Sequence, residues 1–301
     1  MNGFLDIPNR KQQRVWLYTT QTVSSAQGLQ VWNKPPGAKF VCIVTIGTGG
    51  GGGGGQGNDG TNLVYGASGG SSAASQVNFL PAHMVPDRLY VQVGNGGAGG
   101  TGTGIGVTGN AGSNGQATSV IWSLTGGIAL YFGYAVGGNG GAGGRQGLGS
   151  GATGGGANPT ATAITQIGAR TGWNGQASIG AGTTRDITTS PFRCTSGASG
   201  ARWGTGTTTT EGGHINFPPG DACFQRISGG ANNSGEPGSS LNDLMRFYAT
   251  GGSGGAVNRT GVAGVGGNAG FGSGGGGGAA GNPNGSTGGK GGDGLVLIIC
   301  S

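Results

Sequence analysis

The sequence predicts a mostly β protein in which a small β-sandwich-like base carries glycine-rich segments of the polyproline II or polyglycine II type, with almost no helix. Of the 301 residues, 80 are glycine, 33% are hydrophobic and only 8% are charged. Disordered chains are usually rich in charge and poor in β-branched and aromatic residues. The composition therefore favours an ordered protein in which glycine serves the architecture.

The hydrophobic residues are gathered into short runs bounded by glycine. Such runs, rich in Val, Ile and aromatic residues, are typical of β-strands. The predicted strands are residues 40–46, 89–93, 120–122, 128–132 and 295–299. Before the first of them, Pro35-Pro36-Gly37 is a turn signal between two apolar segments. We expect residues 31–46 to form a β-hairpin about this turn.

The strand 40–46 runs directly into seven consecutive glycines, residues 49–55. A run without Cβ atoms has low helix propensity and no side chains to bury as a strand. Left-handed polyglycine II, with three residues per turn, is the ordered alternative. Similar composition returns at 94–115, 137–156 and 251–294, which predicts a mixed stack of such rods above the β-sandwich.

Glycine density divides the chain into four parts. Residues 1–30 are an N-terminal arm or first strand, and 31–156 are the first part of a glycine-rich β domain. Residues 157–250 are an inserted, less glycine-rich region, and 251–301 contain the last glycine-rich segment and a closing strand. Within the insertion, residues 240–248 show the apolar spacing of two helical turns.

The insertion contains most of the side chains suited to recognition. Trp and Arg are frequent at binding hot spots. The candidate residues for binding a receptor or partner are Trp173, Phe192, Arg193, Arg202, Trp203, Phe217, Phe224 and Arg226. The alternative is that these aromatic residues fill a small core of the insertion itself, and the two roles are compatible.

Charge and cysteine patterns restrict the partners. The net charge of +6 comes from basic residues scattered singly, so we expect no nucleic-acid partner, and no apolar run is long enough for a membrane helix.

Cys42 and Cys300 lie in predicted strands and are expected to be buried thiols. Cys194 and Cys223 lie in loop-like sequence, where a disulfide bond and free thiols are both open.

Motifs of catalysis or metal binding are weak in this chain. Residues 66–70 and 251–255 match Gly-x-Ser-x-Gly, but composition alone produces such matches in a glycine-rich sequence. Residues 288–295 match one calcium-binding nonapeptide, and a single copy has no neighbouring repeat to complete the ligands. We therefore expect Asp293 to stabilise a turn before the last strand. The prediction is a protein with no enzymatic activity, no metal and no cofactor.

Three segments in a fixed order resemble a known family. They are 31–50, with its turn, strand and first glycines; 89–100, ending in Val-Gly-Asn-Gly-Gly-Ala-Gly-Gly; and 288–299, in which Gly-Gly-Asp-Gly precedes the last apolar run. This order is similar to that of the glycine-rich domain of phage tail and tail-fibre proteins. Related adhesins pack polyglycine II rods and recognise host surface receptors through loops. Residues 157–250 depart from the pattern as an insertion.

The resemblance implies a non-enzymatic virion protein, assembled in the host cytoplasm and exposed on the particle surface. We expect a tail-tip or tail-fibre component that binds the host receptor, with other virion proteins as partners. A homo-oligomer, for example a trimer, is expected in the particle. The alternative is a capsid decoration or head-fibre protein, or a tail assembly subunit, without a receptor role.

Overall fold

A computed structural model describes most of the glycine-rich part of the chain. The described residues are 14–20, 29–122, 131–146, 194–204, 209–216 and 248–301, together with residues 175, 185–186, 229–230, 238, 240 and 242–243. The structural statements that follow concern these residues.

The regular elements are β-strands and one short 3₁₀ turn, which confirms the mostly β prediction. The strands are β1 (Arg14–Tyr18), β2 (Leu29–Asn33), β3 (Phe40–Ile46), β4 (Ser75–Pro81), β5 (Arg88–Gln92), β6 (Thr118–Ile121), β7 (Tyr131–Ala135), β8 (Arg185–Asp186), β9 (Ile215–Asn216), β10 (Asn242–Asp243), β11 (Tyr248–Ala249) and β12 (Leu295–Cys300). The 3₁₀ turn is Ala82–Met84. Each of the five predicted strands is represented in this set.

Two four-stranded antiparallel sheets form the base of the protein. Their strand orders are β1-β12-β3-β4 in sheet 1 and β2-β5-β6-β7 in sheet 2. The inter-sheet core lies between them and is built from Trp32, Val41, Ile43, Leu80, Ala82, Val85, Leu89, Val91, Val120, Val296, Ile298 and Cys300. Because alternate strand residues point to opposite faces, the inward residues of β3 and β12 meet those of β5 and β6 in this core.

The opposite face of sheet 1 is also apolar and largely buried. Its residues pack with Phe271, which lies in the turn between two glycine-rich segments, and with Cys194 and Ala249. The second core consists of Cys42, Val44, Ile46, Cys194, Ala249, Phe271, Leu295, Leu297 and Ile299. Burial on both faces explains why β3 and β12 are continuous apolar runs, without polar alternation.

Strand β4 was not among the predicted strands because polar residues interrupt its sequence. Gln76 and Asn78 are nevertheless almost completely buried. Gln76 Oε1 accepts a hydrogen bond from the Tyr134 backbone N–H at 3.0 Å, and Asn78 Nδ2 donates to the Phe132 carbonyl. These amides join the edge of sheet 1 to strand β7 of sheet 2, so their polar groups are satisfied inside the sandwich.

The glycine-rich segments form straight rods that are hydrogen-bonded to one another. We name them A (47–58), B (64–74), C (94–104), D (108–116), E (136–145), F (194–203), G (249–257), H (262–270), I (272–281) and J (285–294). Every third residue of rod A donates to the same neighbour, as Gly49, Gly52 and Gly55 do to rod J. A repeat of three residues per turn is that of polyglycine II.

Rod A lies at the centre of a hexagonal arrangement. Up to Gly55, its N–H groups donate to rods B, D and J, which run antiparallel to it, and its carbonyls accept from rods C, E and I, which run parallel to it. Gly52 illustrates both sides, since its N–H donates to the Gly289 carbonyl at 2.9 Å and its carbonyl accepts from Gly100 N–H at 2.8 Å. Each backbone N–H and C=O group of residues 49–55 in this buried rod thus has a partner without any β-sheet.

Rod I has a similar central position. It is bonded to rods A, B, F, G, H and J. The two sets of neighbours place the rods in three rows, C-J-H, D-A-I-G and E-B-F, with rods A and I in the middle row. Adjacent rods of a row, such as C and J or J and H, are themselves hydrogen-bonded.

Strands continue directly into rods, so the sheets and the bundle are one structure. Strand β3 leads into rod A and rod B returns into β4, while β5, rod C, rod D and β6 repeat the same order. Strand β7 enters rod E, and rod J enters β12. The sheets therefore fix one end of the bundle. The loops A–B, C–D, G–H and I–J form its other end, the tip, whereas the H–I turn with Phe271 packs on sheet 1.

The predicted hairpin at residues 31–46 is wrong. Strand β2 pairs with β5 in sheet 2, whereas β3 pairs with β12 and β4 in sheet 1. The turn exists, with Gly37 at a φ of 80°, but it carries the chain from one sheet to the other. The physical reason is that Trp32 and Val41 enter the inter-sheet core from opposite sides, which a two-stranded hairpin in one sheet would prevent.

The predicted helical turns at 240–248 are also wrong where the structure describes them. Asn242–Asp243 pairs with Tyr248–Ala249 as the antiparallel strands β10 and β11. A short helix has little stability without tertiary support, and here Ala249 is buried in the second core at the start of rod G. Extended backbone at this point leads into the rod.

Glycine in the central rod is required by the distance to the next backbone. A Cβ atom at Gly52 would lie 2.0 Å from the Gly276 carbonyl oxygen, whereas at Gly104 the nearest atom would be Asn284 Oδ1 at 3.5 Å. We expect Gly52→Ala to lower the free energy of unfolding by about 3 kcal/mol or more. This is at the upper end of the destabilisation that small-to-large substitutions in a packed core usually cause.

The matched control is Gly104→Ala, for which we expect a change within about 0.5 kcal/mol. Both variants are compared with the parent protein by chemical denaturation. Equal stability of the two variants would contradict the close-packed bundle.

Candidate functional site

The tip of the bundle consists of short, ordered turns. Asn58 Oδ1 accepts a hydrogen bond from Gly60 N–H at 3.1 Å, and Asp59 Oδ1 accepts from Thr61 N–H at 2.9 Å. The bonds from Thr61 hold the pKa of the Asp59 carboxyl below its usual value. Side chains that bond to backbone two residues ahead stabilise such turns, so the connection between rods A and B is locally fixed.

Large apolar side chains are exposed at this end of the bundle. Ile105 and Val107 flank Gly106 in the turn between rods C and D, with exposures of 50% and 57%. Val262, at the start of rod H, is 85% exposed. Exposed apolar residues that are grouped at one end of a rigid body are typical of a contact surface.

A small apolar cluster, the tip core, lies beneath these turns. It contains Val64, Ala201, Trp203, Val257, Ala263, Ala279 and Ala280. Trp203 is 2% exposed, and the Arg259 guanidinium carbon lies 5.7 Å from the centre of its ring. That distance is within the range of a cation–π contact. Trp203 is thus buried, but in a core that it shares mostly with residues from outside the insertion, such as Val64 and Val257.

The other candidate binding residues are placed as follows. Arg202 precedes Trp203 on rod F and is partly buried, with its backbone N–H donating to Thr210 Oγ1 at 2.8 Å. The remaining candidates, Trp173, Phe192, Arg193, Phe217, Phe224 and Arg226, lie outside the described residues. The structure therefore brings Arg202 and Trp203 to the tip, and the proposed contact role of the set stays a prediction.

Side chains replace the missing neighbours of several outer rods. Several backbone N–H groups that donate to no described carbonyl donate to Ser, Asn, Gln or Asp side chains. These bonds are Asn95 N–H to Gln116 Oε1 (3.1 Å), Gly140 N–H to Asn114 Oδ1 (2.9 Å), Asn139 N–H to Ser71 Oγ (2.7 Å), Ala142 N–H to Ser68 Oγ (2.7 Å), Lys290 N–H to Asn268 Oδ1 (2.8 Å) and Gly96 N–H to Asp293 Oδ1 (2.8 Å). Each satisfies a donor that a further rod would otherwise take.

The sequence analysis did not identify these side-chain acceptors. The signal that could have revealed them is a polar side chain at every third position of a glycine-rich run, as in Asn110, Ser113 and Gln116 of rod D. Three-residue periodicity places these side chains on one side of a polyglycine II rod. All three residues are exposed, which identifies that side as the outer surface.

Asp293 joins three parts of the molecule at the base of the bundle. Its Oδ1 accepts hydrogen bonds from Gly96 N–H and from Lys290 Nζ, both at 2.8 Å, and its Oδ2 accepts from Thr20 Oγ1 at 3.2 Å. Burial raises the pKa of this carboxyl, but the bonds from Lys290, Gly96 and Thr20 outweigh it and lower the pKa overall. Asp293 thus has the structural role before the last strand that the sequence favoured.

The serines of the two hydrolase-like motifs are inside the bundle. Ser68 lies in rod B and Ser253 in rod G, and both are 0% exposed. Neither stands on the exposed strand-to-helix turn that presents a nucleophile. Among the described residues, no group of three or more His, Cys, Asp or Glu side chains is arranged to hold a metal ion.

The described cysteines are free, buried thiols. This confirms the expectation for Cys42 and Cys300, and Cys194 is also free, while Cys223 lies outside the described residues. Burial raises the pKa of Cys42 and Cys300 to about 11 and that of Cys194 to about 12. Because the thiolate is the reactive form, these side chains act at neutral pH as small apolar residues.

The fold defines a class of protein: a β-sandwich whose strands extend into a hexagonal bundle of glycine rods. The model of the family described as "Glycine-rich domain" matches residues 22–301, and the chain belongs to this family. No curated protein matches the chain. Within the described part of the chain, no helix has the length and apolar character needed to cross a membrane.

The Asp293 contacts predict a pH dependence of stability. Because its pKa is lowered in the folded protein, the carboxylate stabilises the fold above the usual carboxyl pKa of about 3.9 and loses this effect as the pH falls through its lower folded value. We expect Asp293→Asn to be less stable than the parent at neutral pH, with the difference shrinking below about pH 4.

The measurement is the free energy of unfolding of both proteins from neutral to acidic pH. Asp87 is the control, because it pairs with Lys34 at 2.9 Å while its side chain is 94% exposed; Asp87→Asn should have a smaller effect, as is usual for surface ion pairs. A parent-to-variant difference for Asp293→Asn that is the same at every pH would contradict the assignment.

Proposed function

We propose that the chain is a non-enzymatic structural protein of a bacteriophage particle, a tail-tip or tail-fibre component that is displayed on the particle surface and binds the host receptor. The observation that carries the proposal is the difference between the two ends of the bundle. The two sheets hold one end, and exposed apolar side chains lie at the other. The resemblance of residues 31–50, 89–100 and 288–299 to phage tail proteins supports the same assignment.

Rigidity of the bundle favours a role in recognition at a distance from the base. Rods A and I are each bonded to neighbours on all sides, and their residues are almost entirely buried. A binding surface held by such a scaffold loses little conformational entropy when it meets its partner. The tip is therefore suited to repeated contact with a fixed host structure.

The proposed receptor contact is the group of exposed apolar residues at the tip, Ile105, Val107 and Val262. The insertion 157–250, with the aromatic and arginine candidates named above, is the second part of the proposed contact. Arg202 and Trp203 connect the two, because both lie on rod F where it reaches the tip core.

The proposed attachment to the particle is through the sheets. Strand β1 is an edge of sheet 1, and its Val15 and Leu17 side chains are 53% and 46% exposed. An edge strand with exposed apolar residues is suited to pairing with another chain. The partner in this proposal is another virion protein or a further copy of the chain in a homo-oligomer such as a trimer.

Location on the particle tests the first part of the proposal. Antibodies raised against the purified chain are coupled to gold and added to particles of the phage whose genome encodes the chain. The position of the gold label on the particle is then determined by electron microscopy. Label at the tail tip or along tail fibres supports the proposal. Label on the head would favour the decoration or head-fibre alternative, and unlabelled particles would overturn a virion location.

Competition for host cells tests receptor binding. Purified chain is added to host cells before the phage, and adsorption is measured. We expect the parent chain to reduce adsorption, and the variant Ile105→Ser with Val107→Ser to reduce it less, because loss of apolar contact at a binding surface weakens the complex.

The matched control is Met84→Ser, since Met84 is 55% exposed in the 3₁₀ turn beside the sheets. This variant should compete as well as the parent. Unchanged adsorption in the presence of well-folded parent chain would contradict receptor binding but would be compatible with a structural role in the particle.

A further inference from the structure

Among the described residues, rods C, J and H form the last row of the hexagonal lattice on one side of the bundle. Thr287 of rod J and Val262, Val265 and Asn268 of rod H are exposed there. Asn268 Oδ1 accepts the Lys290 backbone N–H at 2.8 Å, so the Asn268 side chain lies over the groove between rods J and H. This groove, which we name the J–H groove, is the next position of the lattice.

The J–H groove offers the backbone groups that a further rod would need. The N–H of Thr287 lies one turn from that of Lys290 and points to the same side, and no described residue bonds to it. The carbonyls of Gly266 and Ala269 on rod H likewise accept from no described residue. Donors and acceptors that repeat every three residues match the pattern by which rods bind each other inside the bundle.

Inside the bundle, one Cβ atom is enough to exclude a neighbouring rod. At Gly276 of rod I a Cβ would lie 2.0 Å from the Ser253 carbonyl oxygen, and at Gly289 of rod J it would lie 1.9 Å from the Gly267 carbonyl oxygen. Rod H carries Val262, Val265 and Asn268 at three-residue spacing, and the Asn268 contact shows that this series overhangs the J–H groove.

We propose that Val262, Val265 and Asn268 form a lateral stop, which keeps the J–H groove closed to a further glycine rod. The excluded partner is a glycine rod of a second copy of this chain, because the groove offers the donors and acceptors by which the rods of this chain bind one another. The two Val side chains act by volume. Asn268 also satisfies the Lys290 donor, so the closed face leaves one fewer unpaired backbone group.

Two triple variants separate the volume of the side chains from their chemistry. In Val262→Gly, Val265→Gly, Asn268→Gly the groove is open. In Val262→Ala, Val265→Ala, Asn268→Ala the same polar and branched groups are lost, but a Cβ remains at each position. We expect the glycine triple variant to form larger, concentration-dependent species in sedimentation velocity, and the alanine triple variant to match the parent chain.

Association of the glycine variant alone supports the lateral stop. A glycine variant that sediments like the parent, or an alanine variant that associates equally, overturns it. Near-ultraviolet circular dichroism of each variant establishes that the folded protein is being compared.

Amide hydrogen exchange gives a second test that does not need the triple variants. In the parent chain the Lys290 N–H should exchange more slowly than the uncapped Thr287 N–H on the same rod. Asn268→Ala should accelerate exchange at Lys290 about tenfold and leave Thr287 unchanged. Equal exchange at the two amides of the parent, or no acceleration in the variant, would contradict the capping role of Asn268.

Discussion

The close approach of one glycine backbone to the next is the constraint on which this structure depends. Between rods, a Cβ atom at positions such as Gly49 and Gly292 would lie 1.7 and 1.6 Å from a neighbouring carbonyl oxygen. At this spacing each backbone N–H reaches a carbonyl on another rod. Glycine at these closest positions is therefore the condition for pairing the backbone groups of the interior.

The protein combines two ways of filling an interior. In the base, side chains such as Trp32, Ile43 and Leu89 exclude water from the space between the sheets. In the bundle, hydrogen bonds hold the rods, and apolar clusters lie at its two ends as the second core and the tip core. Because strands pass into rods without a break, the sheets fix the register of rods that have no side chains to define it.

Ordering so much glycine is entropically unfavourable, and the arrangement of the chain offsets this cost. The turns that join rods are short, as at 59–63 and 105–107, so each rod is held close to the next one in sequence. Side chains such as Ser68, Ser71 and Asn114 accept hydrogen bonds from backbone donors that no rod carbonyl accepts among the described residues. Side chains thus appear where the lattice stops, and the proposed functions of the tip and of the J–H groove both use them.

The apolar runs predicted where strands would form, because strand propensity and glycine boundaries are local properties. The same holds for most of the rods, since consecutive glycines exclude other regular structures. Rods B and F were not predicted, because Ala and Ser take the place of much of their glycine. The pairing of the strands, by contrast, is not a local property. The turn at Pro35-Pro36-Gly37 was predicted, but it joins two different sheets because Trp32 and Val41 are buried on opposite sides of the inter-sheet core. Strand β4 was not predicted, because the buried polar side chains of Gln76 and Asn78 form hydrogen bonds with strand β7, which is distant in sequence.

The sequence by itself determined the mostly β class, most of the rod-forming segments and the buried thiols of Cys42 and Cys300. It did not predict rods B and F, and rod F lies within the region that the sequence set apart as an insertion. The tertiary structure decided which rods are central, which backbone donors face outward and which residues meet at the tip. The physical reason is that all glycines are alike in sequence. Gly52 and Gly104 differ in the neighbours that the fold places around them, and those neighbours decide which positions must lack a side chain.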